Sequence, residues 1–391
     1  MNIEQQYIQL MKEILEVGSE KADRTGTGTL SVFGRQLRHK MSEGFPLLTT
    51  KKVPLRIVAT ELVWMLQGRT DLRWLLARNC HIWTGDAYKR YATYANSLEE
   101  PDWEVHVDDP NQNRTRIMTR GEFENEVLMN DAFSEKWGDL GPIYGKQWRE
   151  WERYGYRGVQ NGAIDCGMIT AEEARKEAHV DQLTNLASDL DSDPDSRRLM
   201  VTAWNPADLP DMTLPPCHYG YQAYTRELSE SERMAILGED QQMLIHKKVQ
   251  SFKNVRKRTV EDFLDELKVP KRAISLMWNQ RSVDVPLGLP FDIASYALLL
   301  EVLAKQTNMV PDELICSLGD CHIYKNQVDG AREQVTREPY ELPKIEFLDE
   351  FHYLFDDLEI SFSDKLDRLR EDMFKVKDYQ HHPKINYPLS N

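Results

Sequence analysis

The sequence has few of the features that mark membrane, secreted or metal-stabilised proteins. No run of about 18 apolar residues occurs, so we expect no transmembrane helix and no membrane association. The first 20 residues are charged and amphipathic and lack the apolar segment of a signal peptide. Cysteines are odd in number and form no CxxC pair, at Cys80, Cys166, Cys217, Cys316 and Cys321. We therefore expect no disulfide framework, no metal site and a reducing compartment, the cytoplasm.

The charge balance also limits the function. The 64 acidic residues exceed the 49 basic ones and give a net charge of −15, which argues against general binding of nucleic acid. A local arginine cluster can still bind a small anion. The adjacent Arg197 and Arg198 are either solvated or form a bidentate clamp for phosphate.

The chemistry centres on one short stretch, 214–218, which reads LPPCH. Two prolines fix φ before Cys217, so its sulfur can be held in one direction. We expect the imidazole of His218 and a nearby arginine to lower the pKa of the thiol and make it a nucleophile. The alternative is a small buried cysteine at the edge of a strand.

Other stretches carry polar side chains in unusual settings. Glu61 lies in a predicted apolar helix over 53–67, where a carboxylate must be paired or used. Arg24 belongs to a Gly- and Thr-rich segment that either wraps a phosphate or forms a plain β-turn. Tyr144 is a packing residue or a proton relay. His322 and Tyr324 are two residues apart and share one face if they lie on a strand.

Strands and helices are mixed without βαβ alternation, which favours an α+β layer fold. Helices are predicted over 3–18, 53–67, 180–190 and 293–306, and strands over 199–204, 219–225 and 273–278. Three charged stretches interrupt this pattern, at about 84–135, 150–185 and 226–270. We predict that they are insertions in a single domain spanning 1–391, the first of them on the surface.

Ten motifs carry a resemblance to a known family. They are DRTGTGTLSVFG, FPLLTTKK, ELVWMLQG, GDLGPIYGKQW, DPDSRRLMVTAWNP, LPPCH, QRSVD, LGLPFDIASYALL, LGDCHIY and HHPKINYPL, in this order. Together they resemble the thymidylate synthase family, which includes the phage nucleotide hydroxymethylases. The resemblance implies an α+β sandwich with a large twisted mixed β-sheet flanked by helices. It also implies a homodimer that pairs sheet to sheet.

The resemblance assigns catalytic roles. Cys217 would attack C6 of a pyrimidine nucleotide and make C5 nucleophilic. His218 would lie beside it, and Glu61 and Tyr144 would organise the waters that move protons. The one-carbon donor would be 5,10-methylenetetrahydrofolate. Positions that would contact this folate are Lys51, Trp83, Leu214 and Gly288.

It also assigns the nucleotide site. The residues implied within one subunit are Arg24, Gln280, Arg281, Ser282, Asp284, Asp292, His322 and Tyr324. Arg24, Arg281 and Ser282 would hold the 5′-phosphate, joined by Arg197 and Arg198 of the other subunit. Asp284 would meet the base through its backbone, and His322 and Tyr324 would hold the 3′-hydroxyl.

Asp292 departs from the family pattern, since thymidylate synthases have asparagine after LGLPF. Cytosine offers an amino donor at N4 and an acceptor at N3, the opposite of uracil. A carboxyl that accepts from N4 and shares a proton with N3 matches cytosine. A carboxylate facing uracil O4 would be unpaired, at a cost of about 2–4 kcal/mol. The favoured substrate is therefore dCMP.

Two further departures concern the fate of the transferred carbon. Thr84 and Gly85 follow Trp83 where the family has aspartate, and the chain ends in the polar sequence Leu389-Ser390-Asn391. A methylase needs a dry pocket for hydride transfer, whereas hydroxymethylation needs water. We therefore predict a deoxycytidylate 5-hydroxymethyltransferase of the phage type, acting in the host cytoplasm if phage-encoded. The alternatives are a dCMP 5-methyltransferase, an enzyme acting on dUMP, a ribonucleotide version and an inactive dimeric scaffold.

Overall fold

A computed structural model describes residues 1–98, 105–109, 114–153, 170, 178–252 and 258–390. Cys166, Asn391 and most of the stretch 150–177 lie outside these residues. The helices are α1 (Ile3–Val17), α2 (Leu55–Leu66), α3 (Leu72–Leu76), α4 (Thr84–Ser97), α5 (Arg120–Met129), α6 (Asp131–Trp137), α7 (Gly145–Arg149), α8 (Gln182–Ser192), α9 (Glu230–Ala235), α10 (Glu239–Phe252), α11 (Val260–Glu266), α12 (Leu289–Gln306), α13 (Val328–Gln334), α14 (Asp349–Asp356) and α15 (Phe362–Arg368). Within the described ranges, no helix is long and apolar enough to span a membrane.

The strands are β1 (Ser19–Lys21), β2 (Thr29–Lys40), β3 (His106–Asp109), β4 (Arg114–Ile117), β5 (Trp151–Glu152), β6 (His179–Val180), β7 (Met200–Thr202), β8 (His218–Glu227), β9 (Arg272–Asp284), β10 (Val310–Tyr324), β11 (Lys344–Phe347) and β12 (Phe374–Lys377). A six-stranded sheet has the order β1-β2-β10-β9-β8-β7. Its neighbours are antiparallel except for the parallel pair β9 and β10, which α12 connects. The predicted α+β fold with a mixed sheet is confirmed, and it contains one βαβ unit that the sequence pattern did not indicate.

The core lies between one face of this sheet and the helices. Helix α12 packs against α2 and against β9 and β10. Most of its residues are apolar and buried, with the carboxyls of Asp292 and Glu301 among them, and Tyr296 stacks on Trp278 of β9 at 4.8 Å between ring centroids. Helix α1 begins with a capping box between Asn2 and Gln5 and packs on β2 and β10.

The other face of the sheet is open. Inward residues of β8 such as Tyr221 and Ala223 are buried, whereas the outward Tyr224 is 65% exposed. Tyr224, Met277 and Ile315 line an open groove of about 540 Å³ across β8, β9 and β10. Charged side chains such as Arg226 and Asp312 also line this groove. Apolar side chains rimmed by polar ones are typical of a surface that meets another protein.

Where the structure describes them, the charged stretches 84–135 and 226–270 contain buried residues. The expectation of a surface segment over 84–135 is wrong, because Tyr91 and Phe123 are fully buried in the main core. Its short helices place one apolar side inward while the charged residues stay outside. The stretch 226–270 forms α9, α10 and α11 around a separate small core made of Met234, Ile245, Phe263, Leu264 and Val269. The assignment of these stretches as insertions in one domain stays a prediction.

Candidate active site

The ends of three neighbouring strands bring the sequence motifs together. The sheet register places His218 of β8 opposite Gln280 of β9, and Asp284 of β9 opposite His322 of β10. The sequence pattern predicted that the strand ends at residue 278, before the QRSVD motif. Strand β9 instead runs to Asp284, so the motif lies within the strand. Segments far apart in the chain thus supply one cluster.

Hydrogen bonds on both sides fix the position of Cys217. The carbonyls of Pro215 and Pro216 accept from Nη2 and Nε of Arg281, each at 2.9 Å. The Cys217 carbonyl accepts from the Arg281 amide at 2.8 Å, and the Cys217 amide donates to the Tyr144 hydroxyl at 2.8 Å. The proline pair therefore serves as an anchor for Arg281 beside the thiol.

The electrostatics of the thiol differ from the sequence-based expectation. Burial raises the pKa of Cys217 to about 11, although Arg281 and Arg24 act to lower it. His218 does not help, because burial lowers its own pKa to about 3 and keeps the ring neutral. Its Nδ1 lies 2.8 Å from the Tyr296 hydroxyl, and the ring stacks on Tyr144 at 4.2 Å. The prediction that His218 lowers the thiol pKa is wrong; only the arginines favour the thiolate.

Tyr144 is held in a strained backbone conformation. Its φ of 27° is uncommon for a residue with a side chain and costs free energy that the surrounding packing must offset. The next residue, Gly145, begins α7 where a Cβ atom would meet the Met65 carbonyl at 2.2 Å, so the chain approaches α2 closely. Burial raises the pKa of Tyr144 well above its usual value, so its hydroxyl is protonated.

Two buried carboxyls, Glu61 and Asp292, influence each other electrostatically. Oε1 of Glu61 accepts from the Trp83 indole at 2.9 Å, and burial, aided by the charge of Asp292, raises the Glu61 pKa to about 8. Oδ2 of Asp292 accepts from Nε2 of Gln280 at 2.9 Å, and burial raises the Asp292 pKa to about 7. Carboxyls with pKa values near neutrality can both give and take protons.

The phosphate-binding residues implied by the sequence lie at the rim. Arg281 is exposed, and so is Arg24, whose Nη2 lies 3.7 Å from Oδ1 of Asp86. The loop of Arg24 is folded around Asp23, which accepts from the amides of Thr25 at 2.8 Å and Gly28 at 2.7 Å. Asp86 also raises the pKa of Cys217. Sequence reasoning missed Asp86, because it lies in the stretch interpreted as surface.

The remaining nucleotide-side residues follow the strands. His322 and Tyr324 end β10 with their rings in edge contact at 5.0 Å, on one face as their spacing predicted. Ser282 lies on β9 opposite Asp320. Asp284 accepts from the Leu287 amide at 3.1 Å and from Gln327 at 3.0 Å, and burial raises its pKa.

Gln327 is a second residue that sequence reasoning missed. Its Nε2 donates both to Asp284 and to the carbonyl of Pro388, at 3.0 and 3.1 Å. Nearby, Nδ2 of Asn326 donates to Oγ of Ser390 at 3.2 Å. The C-terminal segment is therefore tied to the nucleotide side of the site.

Among the positions assigned to folate contact, Trp83 belongs to an aromatic cluster. Trp83 packs between Trp64 and Tyr144, at 6.1 and 5.9 Å between ring centroids. The next residue, Thr84, is fully buried, and its hydroxyl has no hydrogen-bond partner among the described residues. Leu214 packs on the core beside Cys217.

Two further positions assigned to folate contact, Gly288 and Lys51, make contacts within the protein itself. Gly288 caps α12, and its carbonyl accepts from the Asp292 amide at 3.1 Å. Lys51 is buried and points inward, where Nζ donates to the Pro286 carbonyl and lies 4.9 Å from the Tyr387 ring centroid. Burial lowers the Lys51 pKa to about 7. Its contact with folate stays a prediction.

Arg197 and Arg198 lie apart from this cluster. They occupy the turn between α8 and β7, and both are exposed. Within the described part of the chain, neither side chain makes a hydrogen bond or an ion pair. Arg281 and Arg24 are the cations that act most on Cys217.

Comparisons with known proteins agree with this arrangement. A family model described as thymidylate synthase matches residues 5–391. The thymidylate synthase of Listeria monocytogenes serotype 4a (strain HCC23) is 35% identical over 354 residues, which cover 90% of this chain and 92% of the relative. The thymidylate synthase of Listeria innocua serovar 6a (strain ATCC BAA-680 / CLIP 11262) matches with the same identity and coverage.

Proposed function

This chain belongs to the thymidylate synthase family, and from that premise we propose that it converts dCMP to 5-hydroxymethyl-dCMP. The family transfers a one-carbon unit from 5,10-methylenetetrahydrofolate to a pyrimidine nucleotide, so the chain is a one-carbon transferase. The proposal concerns the base and the product. Its balance is dCMP, methylenetetrahydrofolate and water giving 5-hydroxymethyl-dCMP and tetrahydrofolate.

The choice of base rests on Asp292 and Gln280. The Gln280 amide donates to Oδ2 of Asp292, which makes this oxygen an acceptor and leaves the carboxyl proton to Oδ1. A carboxyl in that state accepts from the cytosine amino group and donates to N3. Since N3 of cytosine is far more basic than O4 of uracil, a shared proton is stabilised only with cytosine. The Asp292 pKa of about 7 keeps that proton available near neutrality.

The covalent step rests on Cys217. Phosphate bound beside Arg24 and Arg281 brings the nucleotide to the thiol, and the arginines favour loss of its proton. The thiolate forms a bond to C6, and the electron pair of the C5–C6 double bond moves into the ring, so that C5 becomes a nucleophile. The folate supplies a one-carbon unit at the oxidation level of formaldehyde. Loss of the C5 proton and of the sulfur restores the ring at the end.

Proton transfer is assigned to Glu61 and Tyr144. Glu61, with its pKa of about 8, holds a proton near neutrality and can exchange it with waters in the site. The Tyr144 hydroxyl accepts from the Cys217 amide and keeps its own proton for donation toward the base. Trp83 is buried, fixes Glu61 through its indole N–H and belongs to an apolar aromatic cluster with Tyr144, and apolar aromatic surroundings of this kind fit the flat ring of the cosubstrate.

Hydroxymethylation instead of methylation is supported by polar groups beside Trp83 and in the C-terminal segment. Next to Trp83, the buried hydroxyl of Thr84 has no hydrogen-bond partner in the described part of the chain, and a buried polar atom of this kind favours an ordered water. The tail is held through Ser390 and Gln327 and not through apolar packing alone. A second candidate is methylation of dUMP, favoured by the names of the 35% identical relatives.

We also propose a homodimer that pairs the open sheet faces. The groove that contains Tyr224, Met277 and Ile315 also carries acidic and basic side chains, so that two copies related by a twofold axis can bury apolar groups and pair opposite charges. Arg197 and Arg198 would then reach the phosphate of the partner's site, which accounts for two exposed arginines whose side chains have no partner among the described residues of their own chain. Sedimentation velocity should give a dimer, and Tyr224→Glu should give monomers without activity.

The first experiment is incubation of the protein with methylenetetrahydrofolate and either dCMP or dUMP, with products resolved by mass. A gain of CH₂O on dCMP supports the proposal. A gain of CH₂ with formation of dihydrofolate makes the protein a methylase. Turnover of dUMP alone contradicts the role assigned to Asp292, and no turnover of either nucleotide favours the scaffold alternative.

A further inference from the structure

The turn that carries Arg197 and Arg198 is fastened to the sheet by a residue outside the nucleotide site. Arg272, the first residue of β9, forms an ion pair through Nη2 with Asp195. Its Nε donates to the Thr225 hydroxyl at 3.0 Å, and that hydroxyl donates to the Pro194 carbonyl at 2.6 Å. One guanidinium therefore fixes two consecutive residues of the turn.

This anchor is more buried than an ordinary surface ion pair. The Arg272 side chain is 14% exposed, and Thr225 is buried on β8. An exposed ion pair contributes little to stability, whereas a hydrogen-bonded network with one buried member holds a defined geometry. Beyond the turn, the chain continues into β7, where the Leu199 carbonyl accepts from the Ala223 amide at 2.8 Å. Arg197 and Arg198 are thus held on both sides while their own side chains stay exposed.

Arg272 also marks the point where the helical stretch 226–270 rejoins the sheet. The Leu228 amide donates to the Lys271 carbonyl at 2.8 Å, which closes the base of that stretch. Arg272 Nη1 lies 3.7 Å from Glu227 on the opposite strand. The base of the insertion and the arginine turn are therefore one connected unit.

We propose that Arg272 is a positioning residue that sets the arginine turn for the phosphate of the partner's nucleotide. The inference rests on the proposed function, because it requires Arg197 and Arg198 to complete the other subunit's site. A bidentate guanidinium–phosphate contact needs a fixed approach, so freeing the turn weakens phosphate binding without altering the reacting atoms.

The test compares binding of dCMP with binding of deoxycytidine, which lacks the phosphate, by calorimetry. Arg272→Gln should weaken dCMP binding about tenfold, equivalent to about 1.4 kcal/mol, and leave deoxycytidine binding unchanged. In turnover assays the nucleotide KM should rise about tenfold while kcat stays within about twofold. Arg272→Lys should recover most of the affinity, since an ammonium can still pair with Asp195. Lys271→Gln, which removes the neighbouring cation that pairs with Asp265, should behave as wild type.

Asp195→Asn separates positioning from general electrostatics. Removing a negative charge near a phosphate site should strengthen binding if only long-range charge matters. Positioning predicts the opposite: Asp195→Asn weakens dCMP binding in the same direction as Arg272→Gln. Stronger binding by Asp195→Asn, or unchanged binding by Arg272→Gln, overturns the proposal. A loss of kcat together with a lower melting temperature also overturns it, since Arg272 would then be a stability residue.

Mixed dimers test the action across the interface. In a dimer of Arg272→Gln with Cys217→Ala subunits, the single intact thiol receives its partner arginines from a subunit with native Arg272. That site should show the wild-type KM, and a KM that stays raised overturns the proposal. A mixed dimer of Arg197→Ala and Cys217→Ala subunits is the reference. Its single intact thiol receives native Arg197 from the Cys217→Ala subunit, so this site should be active if the sites are shared. If that mixture also fails, the proposed dimer is wrong, and if the wild type binds no nucleotide, the proposed function is wrong; each failure is thus recognisable.

Discussion

Nε2 of Gln280 donates to Oδ2 of Asp292 at 2.9 Å, and Oε1 of the same amide accepts from the Trp278 indole at 3.2 Å. The indole can only donate, so it fixes which end of the Gln280 amide faces Asp292. Trp278 is fully buried and stacked on Tyr296, so this orientation is set by the core. The Asp292 carboxyl is consequently held by a chain of buried residues and not by solvent.

The exchange Asp292→Asn should reverse the choice of base. The asparagine amide donates to uracil O4 and accepts from N3–H. With cytosine, its N–H group would face the N4 amino group, so that two hydrogen-bond donors meet. We expect the ratio of kcat/KM for dCMP over dUMP to fall about 100-fold, in line with one buried unpaired group. Steady-state assays with both nucleotides measure it. The matched control Asp349→Asn, exposed at the start of α14 and away from the site and the open sheet face, should keep the wild-type ratio. An unchanged ratio for Asp292→Asn would exclude base reading by this residue.

Binding of dCMP should depend on pH through Asp292. Since the pair with cytosine needs one shared proton and burial raises the Asp292 pKa to about 7, affinity should be highest near neutrality or below. Above that pH the carboxyl has lost its proton in the free protein, so affinity should fall, approaching tenfold per pH unit. Calorimetry on the Cys217→Ser variant between pH 6.5 and 9 measures it without the thiol titration. A flat profile, or one matching Asp292→Asn, would contradict the shared proton.

Removing the charge of Asp86 should activate both the phosphate site and the thiol. Its carboxylate lies 3.7 Å from Arg24, competes with phosphate for that guanidinium, and raises the pKa of Cys217. In Asp86→Asn the thiol pKa falls from about 11, so at pH 8 the thiolate fraction rises. We expect iodoacetamide to alkylate Cys217 about threefold faster and dCMP to bind about threefold tighter. Peptide mass mapping assigns the modified cysteine.

Slower alkylation, or weaker binding of dCMP, would show that Asp86 supports Arg24 instead of competing for it. Asp139→Asn is the matched control. Asp139 lies on the segment that leads to Tyr144, but it is not among the charges that act most on Cys217. Its alkylation rate should equal that of the wild type.

Glu301 should make the protein less stable as the pH rises. It lies on α12, and burial raises its pKa from 4.5 to about 7. Between pH 4.5 and about pH 7, Glu301 keeps a proton in the folded protein that it has lost in the unfolded chain. The free energy of unfolding therefore falls as the pH rises through this range, and it levels off above about pH 7. The full effect is about 3 kcal/mol as an upper limit, and Glu301→Gln should remove it.

The measurement is denaturant unfolding at pH 5 and pH 8. The Glu301→Gln variant should match the wild type near pH 5 and exceed it at pH 8, while the exposed control Glu16→Gln should follow the wild type at both. Equal stability of Glu301→Gln and wild type at pH 8 would mean that Glu301 is solvated or paired in solution.

Local sequence patterns predicted the elements that carry the site. The apolar spacing of residues 3–18 gave α1 within one residue, because a helix repeats its buried face every 3.6 residues. The two-residue spacing of His322 and Tyr324 placed them on one strand face. The order of the motifs was enough to identify the family, and a single residue type, Asp292, was enough to pose the question of the substrate.

Properties that depend on burial were not predictable in this way. Composition suggested a surface location for 84–135, yet Tyr91 is fully buried, since a short helix can bury one side whatever its overall charge. For the same reason the sequence did not predict a role for Asp86, whose partner Arg24 lies far away in sequence. Likewise, no local pattern links Arg272 to the turn at Asp195.

The sequence by itself therefore determined which chemical groups are available: a thiol, two carboxyls, a phenol and a set of arginines in the order of one family. The tertiary structure decided their protonation. Burial keeps His218 neutral and raises the pKa values of Cys217, Glu61 and Asp292. The physical reason is desolvation: the free energy of a charge depends on how much water and which dipoles surround it, and those neighbours come together only when β8, β9, α2 and α12 pack.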